Sequence, residues 1–139
     1  MHCPFCNLEK EKTRTVFQGE NVFVVLSNPR LAEGHLLAIP RRHVERLSEL
    51  DEKEKKELLD TAIQFQEKIL SKVSSGCDVR QNYRPFIKEG RLKVNHLHIH
   101  LIPRELEDAL YKKSMVFEKE VFKDLREEEK NRFTKLFSD

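Results

Sequence analysis

The eleven residues from Val94 to Arg104 constrain this chain more than any others. Three of its six histidines, His96, His98 and His100, alternate there with Leu97, Ile99 and Leu101. A period of two marks a strand with one face on a core, so the pattern predicts a strand over 92–102 with an apolar packing face and an imidazole face. On extended backbone, successive imidazoles of the triple stand about 6.7 Å apart and the outer two about 13 Å, too far for all three to share one metal. An H-x-H metal pair stays open, although no Asp or Glu falls between Gly90 and Arg104 to complete it. The alternative divides the labour, with one outer histidine a structural ligand and another a free nucleophile.

The remaining chain supplies a setting for that strand. Its 139 residues suit one core domain, and no repeat or low-complexity tract marks a second. A net charge of +2 argues against a dedicated nucleic-acid surface. The charge is unevenly spread, however: residues 80–104 carry a net +5, from Arg80, Arg84, Lys88, Arg91, Lys93 and Arg104 against Glu89. No leader precedes the first motif and no apolar run is long enough to span a bilayer, so the expected location is the cytoplasm. Cys3-Pro4-Phe5-Cys6 fits a reducing compartment, where C-x-x-C signals metal or redox chemistry. A redox motif follows a strand and opens a helix; no strand is expected ahead of residue 3, so zinc is the better reading, with two further ligands to be found elsewhere. Cys77, alone after Gly76, reads as packing.

The organisation follows from period and punctuation. Segments 14–18 and 21–26 flank Gly19-Glu20 as a hairpin, and 34–40 forms a third short strand closed by Pro40. At Asp51 the spacing changes to helical: Asp51 to Glu54 resembles a capping box, and Leu58, Leu59, Ala62, Ile63, Ile69, Leu70 and Val73 recur on one side until Ser74-Ser75-Gly76. The charged residues from Glu52 to Glu57 read as a solvated face. A strand over 78–84 and the histidine strand complete the order β-β-β-α-β-β. The fold class is α+β: a mostly antiparallel five-stranded sheet with one long helix packed on it. Residues 1–104 form this domain. Residues 105–139 form a helical extension, with helices over 105–112 and 118–137, packed on the domain or on a partner.

Taken together, His96-Leu97-His98-Ile99-His100-Leu101-Ile102, the upstream Gly34-His35-Leu36-Leu37-Ala38-Ile39-Pro40-Arg41-Arg42-His43 and the Cys3-x-x-Cys6 start resemble the histidine triad (HIT) family of nucleotide hydrolases and transferases. The resemblance covers residues 1–104, with the motifs in family order. It implies that His98 is the nucleophile that attacks the α-phosphate of a nucleotide conjugate, and that His100 and His35 assist the displacement. It also implies a structural Zn²⁺ held by Cys3, Cys6, His43 and His96, with no organic cofactor. Taken alone, His43 reads as a surface histidine; the incomplete C-x-x-C site reverses that reading. The ribose would fall to Asn28 or Ser27, and Arg104 would either add to the phosphate field or only cap the surface.

One segment departs from the family pattern. Where relatives carry Gly-Gln before the triad, this chain reads Gly90-Arg91-Leu92-Lys93, and the Lys93 charge favours an anionic leaving group such as a polyphosphate over an amine. The expected activity is cleavage of a dinucleoside polyphosphate through a covalent nucleotidyl-histidine, releasing a nucleoside monophosphate. Phosphoramidate hydrolysis, phosphorolysis and non-catalytic, zinc-stapled nucleotide binding are the alternatives. A homodimer is the expected assembly.

Overall fold

The computed structural model describes residues 3–6 and 14–138, excepting the side chains of 115–117. Five strands form one antiparallel sheet: β1 (Thr15–Gln18), β2 (Val22–Leu26), β3 (Leu36–Pro40), β4 (Gly76–Arg80) and β5 (Ile99–Arg104), in the spatial order β1-β2-β3-β5-β4. The long helix α1 (Glu52–Lys72) lies between β3 and β4 in sequence. The α+β class and the element order agree with the sequence reading.

The unbroken apolar run of β2 is explained by burial on both faces. On one face Val22, Val24, Leu36, Ala38 and Leu101 pack with Leu58, Ala62, Phe65 and Ile69 of α1. On the other, Phe23, Val25, Leu37 and Ile39 pack with Phe5, and Cys3 and Val94 lie at the margin. Each large side chain so buried contributes about 1.5–3 kcal/mol. The N-terminal C-x-x-C segment therefore acts as the second layer of the domain.

Asp51 caps α1, its carboxylate accepting the Glu54 N–H at 2.8 Å while Glu54 accepts the Asp51 N–H at 2.9 Å. The acidic first turns are not simply solvated, as the sequence suggested. Glu54 is buried and takes the Arg42 guanidinium in a fork at 2.7 and 3.0 Å. Glu57 accepts the backbone N–H groups of Asn21 and Val22, each at 2.8 Å. That carboxylate fills the space beside the hairpin turn: a Cβ on Gly19 would lie 2.7 Å from Glu57 Oε2 and 2.9 Å from the Val22 carbonyl. The apolar stripe of α1 is also narrower than its periodicity implies, since Leu59, Ile63, Leu70 and Val73 remain exposed.

The histidine strand is shorter than expected. β5 begins at Ile99 instead of residue 92 and carries Pro103 and Arg104 inside it. Before Ile99, the groups that would extend the ladder are engaged elsewhere. The Leu97 N–H donates to the Val44 carbonyl at 2.6 Å, His96 Nε2–H to the Pro40 carbonyl at 2.8 Å, and His98 Nδ1–H to the His96 carbonyl at 2.7 Å. β4 stops at Arg80 for the same reason, Arg80 and His100 being its last pair.

The chain divides into two compact units, Met1–Leu106 and Glu107–Asp139. The second unit holds a π-helical turn (Tyr111–Met115) running into α2 (Val116–Val121), and α3 (Glu127–Phe137). The expected helix over 105–112 does not start at 105: Glu107 has a positive φ of 56°, and the Asp108 carboxylate accepts the Tyr111 N–H at 2.7 Å. The expected run over 118–137 breaks after Val121 and restarts where the Arg126 N–H meets Glu129.

Candidate active site and metal centre

The local backbone first sets where each histidine stands. Gly34, at φ 84°, makes the turn into β3 that seats His35, and the His35 ring is buried. The Leu31 N–H donates to His35 Nδ1 at 3.0 Å, so that nitrogen carries a lone pair. His35 Nε2 then holds the proton and donates to His100 Nδ1, also at 3.0 Å. His100 in turn keeps its own proton on Nε2. A main-chain amide thus dictates the tautomer of two successive rings.

Both rings are held neutral. Burial, the Arg80 guanidinium and His98 lower His35 from the ordinary 6.5 to about 4. Burial, His98, His35 and Arg80 lower His100 to about 3. His98 is also shifted down by burial. Its Nδ1–H is fixed on the His96 carbonyl, which leaves Nε2 with the lone pair, the form a nucleophile needs. The His98 ring stands edge-on to His100 at 4.8 Å between centroids and to Phe5 at 4.9 Å.

His96 belongs to a different cluster. Cys3, Cys6, His43 and His96 present one ligand atom each, all within 4.8 Å of one another. Cys3 Sγ lies 3.4 Å and Cys6 Sγ 3.6 Å from His96 Nδ1, and Cys6 Sγ lies 3.3 Å from His43 Nδ1. The ring geometry suits a metal: His96 Nε2–H is spent on the Pro40 carbonyl, so Nδ1 is the free donor. Glu45 stands 3.9 Å from His43 Nε2 in the corresponding outer position. Two thiolates and two imidazoles balance a divalent ion and close a tetrahedron, leaving no position for a reactive water. The segment bearing His43 is fixed by Arg42 on Glu54 and by Arg41 on the Gly19 carbonyl at 2.9 Å.

The four expected substrate contacts fare differently. The Arg104 guanidinium pairs with Asp78 at 2.5 Å, and Arg80, 3.8 Å from the same carboxylate, is the cation that acts on His35 and His100. Lys93 borders a cleft with Tyr83, Arg84, Asn95 and His98, but its ammonium donates to the Ile87 carbonyl at 2.8 Å. Ser27 donates to the Pro29 carbonyl at 2.8 Å, and Asn28 is exposed on the same turn. Cys77 is half-buried against the core. His2 lies outside the described residues.

Sequence reasoning missed Arg80 and Phe5. Only the nonlocal pairing of β4 with β5 brings Arg80 opposite His100. Phe5 had one signal, a large apolar residue trapped between two candidate ligands.

The fold and the sequence place the chain among known proteins. The chain is similar over its whole length to the crystal structure of a HIT family protein from Bacillus subtilis, with a TM-score of 0.75, 21% identity and coverage of 99% of this chain and 96% of that one. It is also similar to a Zn-bound histidine triad family protein from Mycobacterium smegmatis, with a TM-score of 0.66, 21% identity and coverage of 79% and 80%. The adenosine 5′-monophosphoramidase hnt1 of Schizosaccharomyces pombe is 26% identical over 113 residues, covering 78% of each chain. The HIT domain model matches residues 9–107, and the chain belongs to the HIT family.

Proposed function

We propose that this protein cleaves nucleotide conjugates at the α-phosphate through a covalent nucleotidyl-His98 intermediate. The observation that carries the reading is the tautomer set: Nδ1–H of His98 is fixed on a carbonyl, and the Leu31–His35–His100 relay ends in a donor. In the proposed reaction His98 Nε2 attacks phosphorus and the bond from phosphorus to the leaving group breaks. His100 Nε2–H donates to a phosphoryl oxygen as charge develops there, and Arg80 supplies positive potential. Water then attacks the phosphorus of the adduct, the P–N bond breaks, and a nucleoside monophosphate leaves with His98 restored. Ser27 and Asn28 are assigned to the ribose side, with Lys93 and Arg104 at the margins of the phosphate.

The leaving group is read from two observations. The basic segment holding Arg84 and Lys93 favours a polyphosphate. The amidase activity named for the fission-yeast relative, together with the tie between Lys93 and the Ile87 carbonyl, favours a phosphoramidate. The metal is assigned as structural zinc on Cys3, Cys6, His43 and His96, supported by the clustering of those four and by a fold neighbour that is Zn-bound. We assign a homodimer in which a second copy covers Leu59, Ile63 and Leu70 of α1 beside the unpaired edge of β4. Among the described residues no helix is long and apolar enough to cross a membrane. A C-x-x-C pair assigned to a metal and not to a disulfide suits the cytoplasm.

The test is incubation with diadenosine polyphosphates and adenosine phosphoramidate, followed by mass spectrometry of products and of the quenched protein. Adenosine monophosphate and a nucleotidyl adduct on His98 are expected. Tight nucleotide binding with no product would replace the enzyme with a binding protein.

A further inference from the structure

We propose that the metal centre positions the nucleophile, acting through Phe5 and the His96 carbonyl. The inference rests on the reading of His98 as nucleophile and goes beyond a structural role for the metal. Phe5 lies between the two cysteine ligands in sequence and is buried on the second face of the sheet. Its ring meets His98 edge-to-face, with centroids 4.9 Å apart and planes at 89°, and lies 6.0 Å from His96. The other restraint on His98 is its Nδ1–H bond to the His96 carbonyl, and His96 is itself a ligand. Both groups that fix the nucleophilic ring are therefore tied to ligands of one ion: the aromatic wall through Cys3 and Cys6, the carbonyl through His96. Among the described residues His100 is the other ring that stacks on His98, so Phe5 is the aromatic wall contributed by the N-terminal segment.

An ion that only stapled the N-terminus would leave the chemistry unchanged in molecules that stay folded. A positioning ion sets the orientation and tautomer of His98. The test has two arms on the full chain, Phe5→Leu, which keeps the ligands and removes the ring, and wild-type protein stripped with a chelator, which keeps the ring and removes the ion. Metal content, circular dichroism, the single-turnover rate of adduct formation with adenosine phosphoramidate, and the His98 tautomer by long-range ¹H–¹⁵N correlation are measured in each. In both arms we expect retained secondary structure, a rate lower by about tenfold to a hundredfold with KM nearly unchanged, and partial loss of the Nδ1–H tautomer. Phe5→Tyr, which keeps the ring, should recover most of the rate.

A wild-type rate and tautomer in either folded arm would overturn the proposal, and unfolding in both would overturn it in favour of a purely structural ion. If one arm unfolds, the other decides. Failure of the underlying reading is separately visible, because wild-type protein would then form no adduct on His98 at all.

Discussion

The histidine relay and the loop over 82–93 meet at the cleft lined by His98 and are built on opposite terms. In the relay, His35 is engaged at both ring nitrogens, and His98 and His100 each at Nδ1, all within 3.0 Å and packed against buried strands. The loop is exposed from Asn82 to Leu92, with Phe86 at 82% and Leu92 at 86%. Its hydrogen-bond anchors are local, Lys93 on the Ile87 carbonyl and Glu89 accepting the Asn95 N–H at 2.9 Å, and Arg46 lies over the Tyr83 ring at 5.6 Å. One region fixes proton positions; the other leaves basic and apolar side chains free to meet a substrate. The contrast separates what the chemistry requires from what selects the leaving group.

The strongest way to break this comparison is His98→Ala. We expect turnover to fall by about a thousandfold or more, the adduct to disappear and the fold to remain, because in the proposed mechanism the imidazole is a reactant and not a core residue. Comparable turnover in the variant would remove the basis for calling the relay catalytic. Next is Cys3→Ser. Metal content measured by mass spectrometry should drop from one ion per chain towards none, and stability should fall by several kcal/mol, on the order of 3 or more, seen as a lower unfolding midpoint.

A smaller effect tests whether the relay is neutral by construction. His35 and His100 titrate lower when folded, at about 4 and about 3, than in the unfolded chain near 6.5. The unfolded state then binds more protons below pH 6.5, so stability drops as the pH falls through that window towards 4, by about 1.4 kcal/mol per pH unit for each group. Replacing His35 with Asn, which keeps an acceptor for the Leu31 N–H, should flatten the slope of denaturant midpoint against pH. An unaltered slope would mean that carboxylates set it. The smallest effect belongs to the loop: Phe86→Ser and Lys93→Met should change stability by less than about 0.5 kcal/mol. They should instead alter the ratio of polyphosphate to phosphoramidate turnover, and a large loss of stability would show the loop to be part of the core.

Local signals carried much of this structure. The turn glycine Gly19 and the Asp51 cap each specify their element from neighbours in sequence and stand in the fold, and the alternation stands as a strand from Ile99 to Leu101. The C-x-x-C pair pointed to two ligands, the family resemblance pointed to His43 and His96, and the fold brings the four together. What escaped depends on tertiary pairing. The start of β5 at Ile99 is decided by where the Leu97 N–H and the Pro40 carbonyl find partners, Val44 and His96, neither of them near in sequence. Glu54 and Glu57 looked like solvated charge because Arg42 and the Asn21 amide lie far from them along the chain.

The burial of β2 and β3 on both faces has a consequence for motion. Amides of Val22–Val25 and Leu36–Ile39 are shielded by α1 on one side and by the Phe5 layer on the other, so their deuterium uptake should require global opening. Uptake over 82–93 should be complete within seconds. His98 sits at the seam, one residue before the protected ladder and a few after the fast-exchanging loop. A substrate can therefore reshape the loop around its leaving group while the attacking ring stays registered to the slowest-opening part of the domain.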